Sequence, residues 1–186
     1  MRVLGLMRIK NEARWIKRCI QSMMPLCEKV LVLDDHSTDG TPDICRSIEN
    51  VVVFDNPHTV INEAEDKDLL LRKSEAFQPD WCLMLDGDEV LAPGGQEIIL
   101  CDIASGRAEA FSLRILYLWN SETRVRTDGV YGRFYRPSLF RFRRGMTFKR
   151  TDGHANLHCS SVPARHINRS AQSKAQVLHL GYMHKQ

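Results

Sequence analysis

Two apolar runs, KVLVLDD (29–35) and WCLMLDGDEVL (81–91), each lead into clustered carboxylates. That pattern constrains the fold more than any other in the chain. Short runs of branched apolar residues suit strands buried on both faces, and such strands belong to parallel sheets covered by helices. Val3 to Ile9 and VVVF (51–54) have the same character. Between the runs the spacing becomes helical. Ile16, Ile20 and Met23 recur before Pro25, with Asn11 placed to cap that segment. Thr41 and Pro42 suit an N-cap and first helical position, ahead of a buried stripe of Ile44 and Ile48. Residues 55–62 read as a loop and 63–77 as a helix with Leu70, Lys73 and Phe77 in register. The alternation predicts an α/β fold with a mainly parallel central sheet and helices on both faces.

In open parallel sheets, ligands bind beyond the carboxyl ends of the strands. If both acid-ended runs lie in one sheet, Asp34-Asp35 and Asp86-Gly87-Asp88-Glu89 gather on one edge. Carboxylates brought together repel unless a cation or hydrogen-bond donors compensate. Mg²⁺ or Mn²⁺ fits best, because such ions take one or two carboxylates plus substrate phosphates. Solvated turn acids capping helices are the plainer alternative for either cluster alone. The spacing D-x-S-x-D-G from Asp35 mimics a calcium loop, but Pro42 interrupts it and Arg46 stands where a bidentate glutamate is needed. Neither a P-loop nor a dinucleotide fingerprint is present.

The later half differs. AFSLRILYLW (110–119) reads as a strand, and Tyr131 to Arg150 alternates aromatic and basic residues, with Arg144-Gly145 placed to turn it into a hairpin. Residues 133–150 hold seven bases and no acids. Residues 1–100 carry 11 bases and 18 acids, whereas 101–186 carry 15 and 5. That asymmetry suits an anionic partner at one end: a phosphate ligand, a membrane surface or nucleic acid. An amphipathic hairpin with its arginines in water is the competing reading. At 186 residues and 43% hydrophobic, the chain suits a single domain over 1–186. No apolar run approaches the ~20 residues of a membrane span, and the N-terminus lacks the pattern of a secretory signal. The cytosol is therefore the expected compartment. The six cysteines show no C-x-x-C pair and read as reduced, mostly buried thiols.

The segment MRIKNEARWIKRCIQSMMPLCEKVLVLDDHSTDGTPDI resembles the opening of a family 2 glycosyltransferase of the GT-A fold, where an N-E pair follows the first strand and D-D-x-S-x-D-G-T follows the second. PDWCLMLDGDEVL is similar to that family's strand ending in a D-x-D motif, and VLHLGYM to a late histidine-containing segment of some members. The resemblance implies a Rossmann-like GT-A fold, with 1–91 as the nucleotide-sugar half and 92–186 as an acceptor half, expected to be C-terminally short. It implies an inverting, hexosyl-type transfer from a nucleotide-diphosphate sugar to an acceptor hydroxyl, with Mn²⁺ or Mg²⁺, in bacterial-type surface glycan synthesis. The acceptor would be a glycan, a lipid-linked glycan or a protein. Peripheral contact with an anionic membrane at its inner face is an expected accompaniment, and nucleic acid is not an expected partner. On this resemblance Arg8, Glu12, Asp35 and Asp86 line the nucleotide pocket, with Asp35 addressing the base and Asp86 the ribose. Asp88 ligates the metal, and His179 contacts the metal or diphosphate, with simple packing as its alternative. Arg72 is a further candidate for the diphosphate.

An inverting transferase needs a base to take the acceptor's proton. Beyond residue 122 the chain offers only Asp128 and Asp152 as acids. Asp152, in TDGHANLH, is the expected base, with His154 and His158 as alternatives. Related members carry a His-Glu pair in this region where this chain has His154-Ala155. His154, His158 and Cys159 also invite a zinc reading, which lacks a fourth ligand. Two other classes remain open: a sugar nucleotidyltransferase, which normally has a glycine-rich phosphate loop after the first strand, and a non-catalytic domain binding a nucleotide sugar or an anionic surface.

Overall fold

The computed structural model describes residues 1–148 and 160–183. Strands β1 (Val3–Ile9), β2 (Lys29–Asp34), β3 (Val51–Asp55) and β4 (Trp81–Met84) run parallel, in the spatial order β3-β2-β1-β4. Beyond β4 the same sheet continues through four more strands. They are β5 (Glu89–Leu91), β6 (Ala110–Tyr117), β7 (Tyr135–Arg141) and β8 (Ala171–His179), placed in the order β7-β6-β8-β5. Pairing is antiparallel at β4–β7, β7–β6 and β8–β5, and parallel at β6–β8.

The period-two alternation of β1 explains the layers. Leu4 and Leu6 face one side of the sheet, with Leu70 and Leu71 of helix α3 (Glu63–Ser74). Val3, Met7 and Ile9 face the other, with Ile16, Cys19, Ile20 and Met23 of helix α1 (Ile16–Met23). The short helix α2 (Thr41–Arg46) and helix α4 (Gly95–Ala104) bury Cys45, Ile99 and Ile103 in this second core. With both faces covered, the strands can be apolar throughout. Cys19, Cys27, Cys45 and Cys82 are buried free thiols, and Cys101 is exposed. Burial pushes Cys45 up to about 12, which leaves it inert.

Three local expectations are corrected. Asn11 does not cap α1: it has φ of 56°, and its side-chain oxygen accepts from the Thr38 amide at 2.7 Å, while α1 begins only at Ile16. The cap of α2 is Gly40 rather than Thr41, whose hydroxyl is engaged by Asp39 and the Glu12 amide. A turn forms at Arg144-Gly145, where Met146 N donates to the Arg143 carbonyl at 3.3 Å, but among the described residues no strand returns from it. Strand β7 is wedged between β4 and β6, and its exit is held when Phe148 N donates to Asp68 Oδ1 at 2.7 Å.

Candidate active site at the carboxyl edge of the sheet

Because β1, β2 and β4 are parallel, their carboxyl ends open onto one edge. The loop after β1 and the loop after β2 are stitched together there. Asn11 N donates to Ser37 Oγ, Glu12 N to Thr41 Oγ1 and Ala13 N to Asp39 Oδ2, at 2.8–3.0 Å. Ser37 N in turn donates to Asp34 Oδ2 at 3.0 Å. These small polar residues satisfy backbone donors that would otherwise lie open at a strand end.

Arg8 leaves the end of β1 and bridges two carboxylates, donating from Nη2 to Asp35 Oδ2 at 2.9 Å and from Nε to Asp66 Oδ2 at 2.7 Å. Asn56 donates to the other oxygen of Asp35, and His58 Nδ1 lies 2.9 Å from Asp66 Oδ1. Asp66, Lys67 and Asp68 are consecutive charges on α3, yet all three are buried. Lys67 pairs with Glu63 at 2.6 Å and also donates to the Ser160 carbonyl. Arg72, by contrast, is exposed on α3.

The Asp86–Glu89 turn occupies the middle of the edge. Gly87 is needed here, since a Cβ at this position would come within 2.5 Å of Glu12 Cγ. Arg136 of β7 reaches the turn from the later half, donating to Asp86 Oδ2 at 2.7 Å and to Glu89 Oε2. Glu89 also accepts from the Asp86 amide, but its Oε1 is buried without a partner among the described residues. Burial pushes Glu89 up to about 7 even with Arg136 beside it. Burial opposes the charge of Asp86 too, but Arg136, backed by Lys67, holds it below the usual carboxylate range. Sequence reasoning missed Arg136. Its one signal was a place within the basic-aromatic stretch.

Asp88 faces the last strand. Its carbonyl accepts from Leu180 N at 2.8 Å, and its Oδ2 lies 3.4 Å from His179 Nε2. Gly181 packs so tightly against the pair that a Cβ would come within 2.5 Å of Asp88 Oδ2. Gly181 N donates to His179 Nδ1 at 3.2 Å, so a neutral ring carries its proton on Nε2, facing Asp88. Burial, reinforced by Asp86, raises Asp88. Burial and the carboxylates of Asp88 and Asp86 together push Glu12 up to about 7.

The edge therefore carries more negative charge than Arg136 neutralises, which is the electrostatic condition for binding a cation. Among the described residues no cluster of three or more His, Cys, Asp or Glu could hold a metal. Asp88 and His179 could supply one oxygen and one nitrogen ligand, leaving the remaining positions to phosphate and water oxygens. That mixed donor set suits Mn²⁺.

The Glu12 environment has a measurable consequence. Between the ordinary carboxylate pKa and about 7, the folded protein holds the Glu12 proton more tightly than the unfolded chain does. Stability therefore falls as pH rises through that window, and Glu89 adds to it with the same sign. Glu12→Gln in chelator-treated buffer should raise the melting temperature at pH 8 by about 2–4 °C, after discounting for solvent screening. It should also flatten the decline between pH 5 and 7. An unchanged slope would mean that Glu12 is not the repelled group.

Structure brings together Arg8 with Asp35, Glu12 with Asp86 and Asp88, and Asp88 with His179. Asp152 and His158, with His154 and Cys159, lie outside the described residues. Asp128 is exposed and tied to Arg126 by two hydrogen bonds of 2.6 and 2.8 Å. The basic stretch is largely engaged: Arg136 at the site, Arg141 over Trp81, Arg143 on Glu109 and Arg144 on Glu75. No helix among the described residues is long and apolar enough to cross a membrane.

Comparison with known proteins places this geometry. The model of glycosyl transferase family 2 matches residues 6–165. An uncharacterised protein of Mycobacterium tuberculosis is 34% identical over 95 residues, covering 47% of this chain and 23% of that relative. An uncharacterised glycosyltransferase of Rickettsia bellii is 28% identical over 127 residues, covering 67% of this chain and 41% of the relative. The chain thus spans less than half the length of these relatives. Among solved structures, residues 1–349 of Staphylococcus aureus TarS align with a TM-score of 0.58 at 16% identity, covering 76% of this chain and 47% of that one. The same TarS fragment, solved with UDP-GlcNAc, aligns at 0.54 and 17% identity, over 67% and 36%. GalNAc-T7, solved with UDP, GalNAc and Mn²⁺, aligns at 0.53 and 15% identity, over 63% and 24%. At these identities the likeness speaks for the fold alone, a mixed α/β arrangement around a mostly parallel sheet.

Proposed function

The chain belongs to glycosyl transferase family 2, and on that premise we propose that it moves a sugar from a nucleoside-diphosphate sugar to an acceptor hydroxyl with inversion at the anomeric carbon. The observation that carries this reading is the meeting of Asp88 and His179, from β-strand ends far apart in sequence, on the edge that also holds Asp86, Glu12, Arg8 and Asp35. Solved structures of similar fold were obtained with UDP, UDP-GlcNAc, and UDP with Mn²⁺.

In this reading residues 1–91 hold the donor and the later residues present the acceptor. Arg8 and Asn56 fix Asp35 at the nucleobase end, while Arg136 fixes Asp86 toward the ribose. Asp88 and His179 hold a divalent cation, which when bound offsets the charge left on the diphosphate as the sugar's bond to it breaks. His179 would offer Nε2 only as the tautomer protonated at Nδ1, which gives up the hydrogen bond from Gly181 N. The acceptor oxygen takes the anomeric carbon on the face opposite the departing diphosphate and passes its proton to a base. We assign that base, from sequence, to Asp152, with His158 as the alternative.

The test is a thermal-shift titration with UDP, GDP, CDP and dTDP, each with and without Mn²⁺. A ligand specific to the folded state raises the melting temperature with concentration over affinity, by about 2.7 kcal/mol of stability at a hundred times Kd. One diphosphate should stabilise the protein, and more strongly with Mn²⁺. If none does under either condition, the donor-binding reading is wrong.

A further inference from the structure

A run of partly exposed aromatic side chains begins at the proposed cation pair and leads away from it. Tyr117, at the end of β6, lies 4.8 Å from the His179 ring, and Tyr182 stacks on that ring at 5.5 Å and 20°. Tyr131 meets Tyr117 edge-on at 4.9 Å, and Trp119 lies 5.8 Å from Tyr182. The outer end is a small hairpin. Leu118 bridges to Val125, Arg126 N donates to the Tyr117 carbonyl, and Leu118 N donates to the His179 carbonyl. The hairpin is thus anchored to the end of β8. The Arg126 guanidinium lies over Tyr131 at 3.8 Å and over Trp119 at 5.0 Å. A surface cavity of about 360 Å³ opens there, lined by Trp119, Val125, Arg126 and Asp128. That volume falls in the range of small-molecule sites.

We infer that this aromatic run and its cavity form the acceptor subsite, and that it receives a neutral saccharide. The inference rests on the transferase reading of the neighbouring edge. Three observations support it. The run is continuous with Asp88 and His179, so a ligand on it sits next to the reacting end of a donor. The cavity combines an indole with a bidentate Arg126–Asp128 pair. A sugar ring has the matching chemistry: C–H faces for the aromatic ring and a belt of hydroxyls for the paired carboxylate and guanidinium. The charge also excludes an anionic acceptor in the cavity, because Asp128 already neutralises Arg126 through two hydrogen bonds. A bilayer surface fits poorly, since covering the cavity would desolvate that ion pair without replacing its water.

The test uses the full chain and two variants, Trp119→Ala and Trp119→Phe. Saturation-transfer NMR would probe methyl β-D-glucoside, methyl β-D-galactoside and lactose as neutral saccharides. Glycerol 3-phosphate would serve as the anionic probe and phosphatidylglycerol vesicles as the surface probe. A parallel melt with UDP and Mn²⁺ reports the donor side and shows that each variant is folded. The expected result is binding of at least one neutral glycoside, weakened about tenfold in Trp119→Ala and largely restored in Trp119→Phe. The inference is overturned if no neutral glycoside binds, if only glycerol 3-phosphate or vesicles respond, or if glycoside binding is indifferent to Trp119. If glycosides bind through Trp119 but UDP with Mn²⁺ never shifts the melt, the donor reading fails and the saccharide surface stands.

Discussion

Asp88→Ala should lower kcat/KM for sugar transfer about 10³-fold while leaving the metal-free protein at least as stable as wild type. The two halves of that result have one cause. Asp88 sits beside Asp86 and Glu12, partly buried, and its carboxyl is raised above the usual range. A charge held against repulsion destabilises the fold, so removing it relieves Glu12 and Asp86. The same carboxylate is the only acid within reach of His179, at 3.4 Å, among the described residues. Without it, one imidazole cannot hold a divalent cation against water, and the departing diphosphate loses several kcal/mol of charge stabilisation. The Mn²⁺-dependent part of nucleotide stabilisation should vanish as well. Activity within threefold of wild type, measured as nucleotide release with Mn²⁺ present, would remove Asp88 from the reaction.

Arg136→Ala should be the most destabilising change at the site, costing about 3–5 kcal/mol, the scale for stripping one partner from a buried ion pair. Melting should fall by about 10 °C for a chain of this size. Glu89 is 1% exposed and, among the described residues, depends on Arg136 for its one side-chain partner, while Asp86 loses the cation that keeps it ionised. Glu89 can escape part of the cost by taking up a proton, so the loss should shrink below pH 6 and be full at pH 8. Lysine should rescue poorly, since a single ammonium cannot reproduce a guanidinium fork spread over two carboxylates. Adding Glu89→Gln to Arg136→Ala should recover part of the stability, because it removes the stranded charge. A melting change under 2 °C in Arg136→Ala would show that the pair is not buried as described.

The first half was legible because its signals are local. Branched apolar runs at 3–9, 29–34, 51–54 and 81–84 became the four parallel strands, and acids at their ends reached one edge as the parallel topology requires. The later half was less legible because its partners are distant in sequence. Arg136 meets carboxylates 47 and 50 residues earlier, and only the insertion of β7 between β4 and β6 makes that possible. Spacing cannot encode such a contact, and local alternation instead suggested a hairpin. Asp66, Lys67 and Asp68 were illegible for the same reason. The helix over 63–77 was expected, but its spacing carried no sign that these three successive charges are each buried with a distant partner, Arg8, Ser160 and Phe148 respectively. WCLMLDGDEVL was expected as a strand ending in acids, and it does end there, but a second strand follows the glycine turn, so that β4 joins the parallel layer and β5 the far edge.

Strand β8 is inserted between β6 and β5, and its following residue, Leu180, holds the Asp88 carbonyl. This has a consequence for the protein's birth on the ribosome. The parallel layer draws all its strands from the first 84 residues, so it can assemble while synthesis continues. Asp88 is made almost as early, but it waits for residues 179–181 before it gains a backbone partner and an imidazole. On the proposed reading, the pair that would hold a cation is complete only once the last of the described strands has been made.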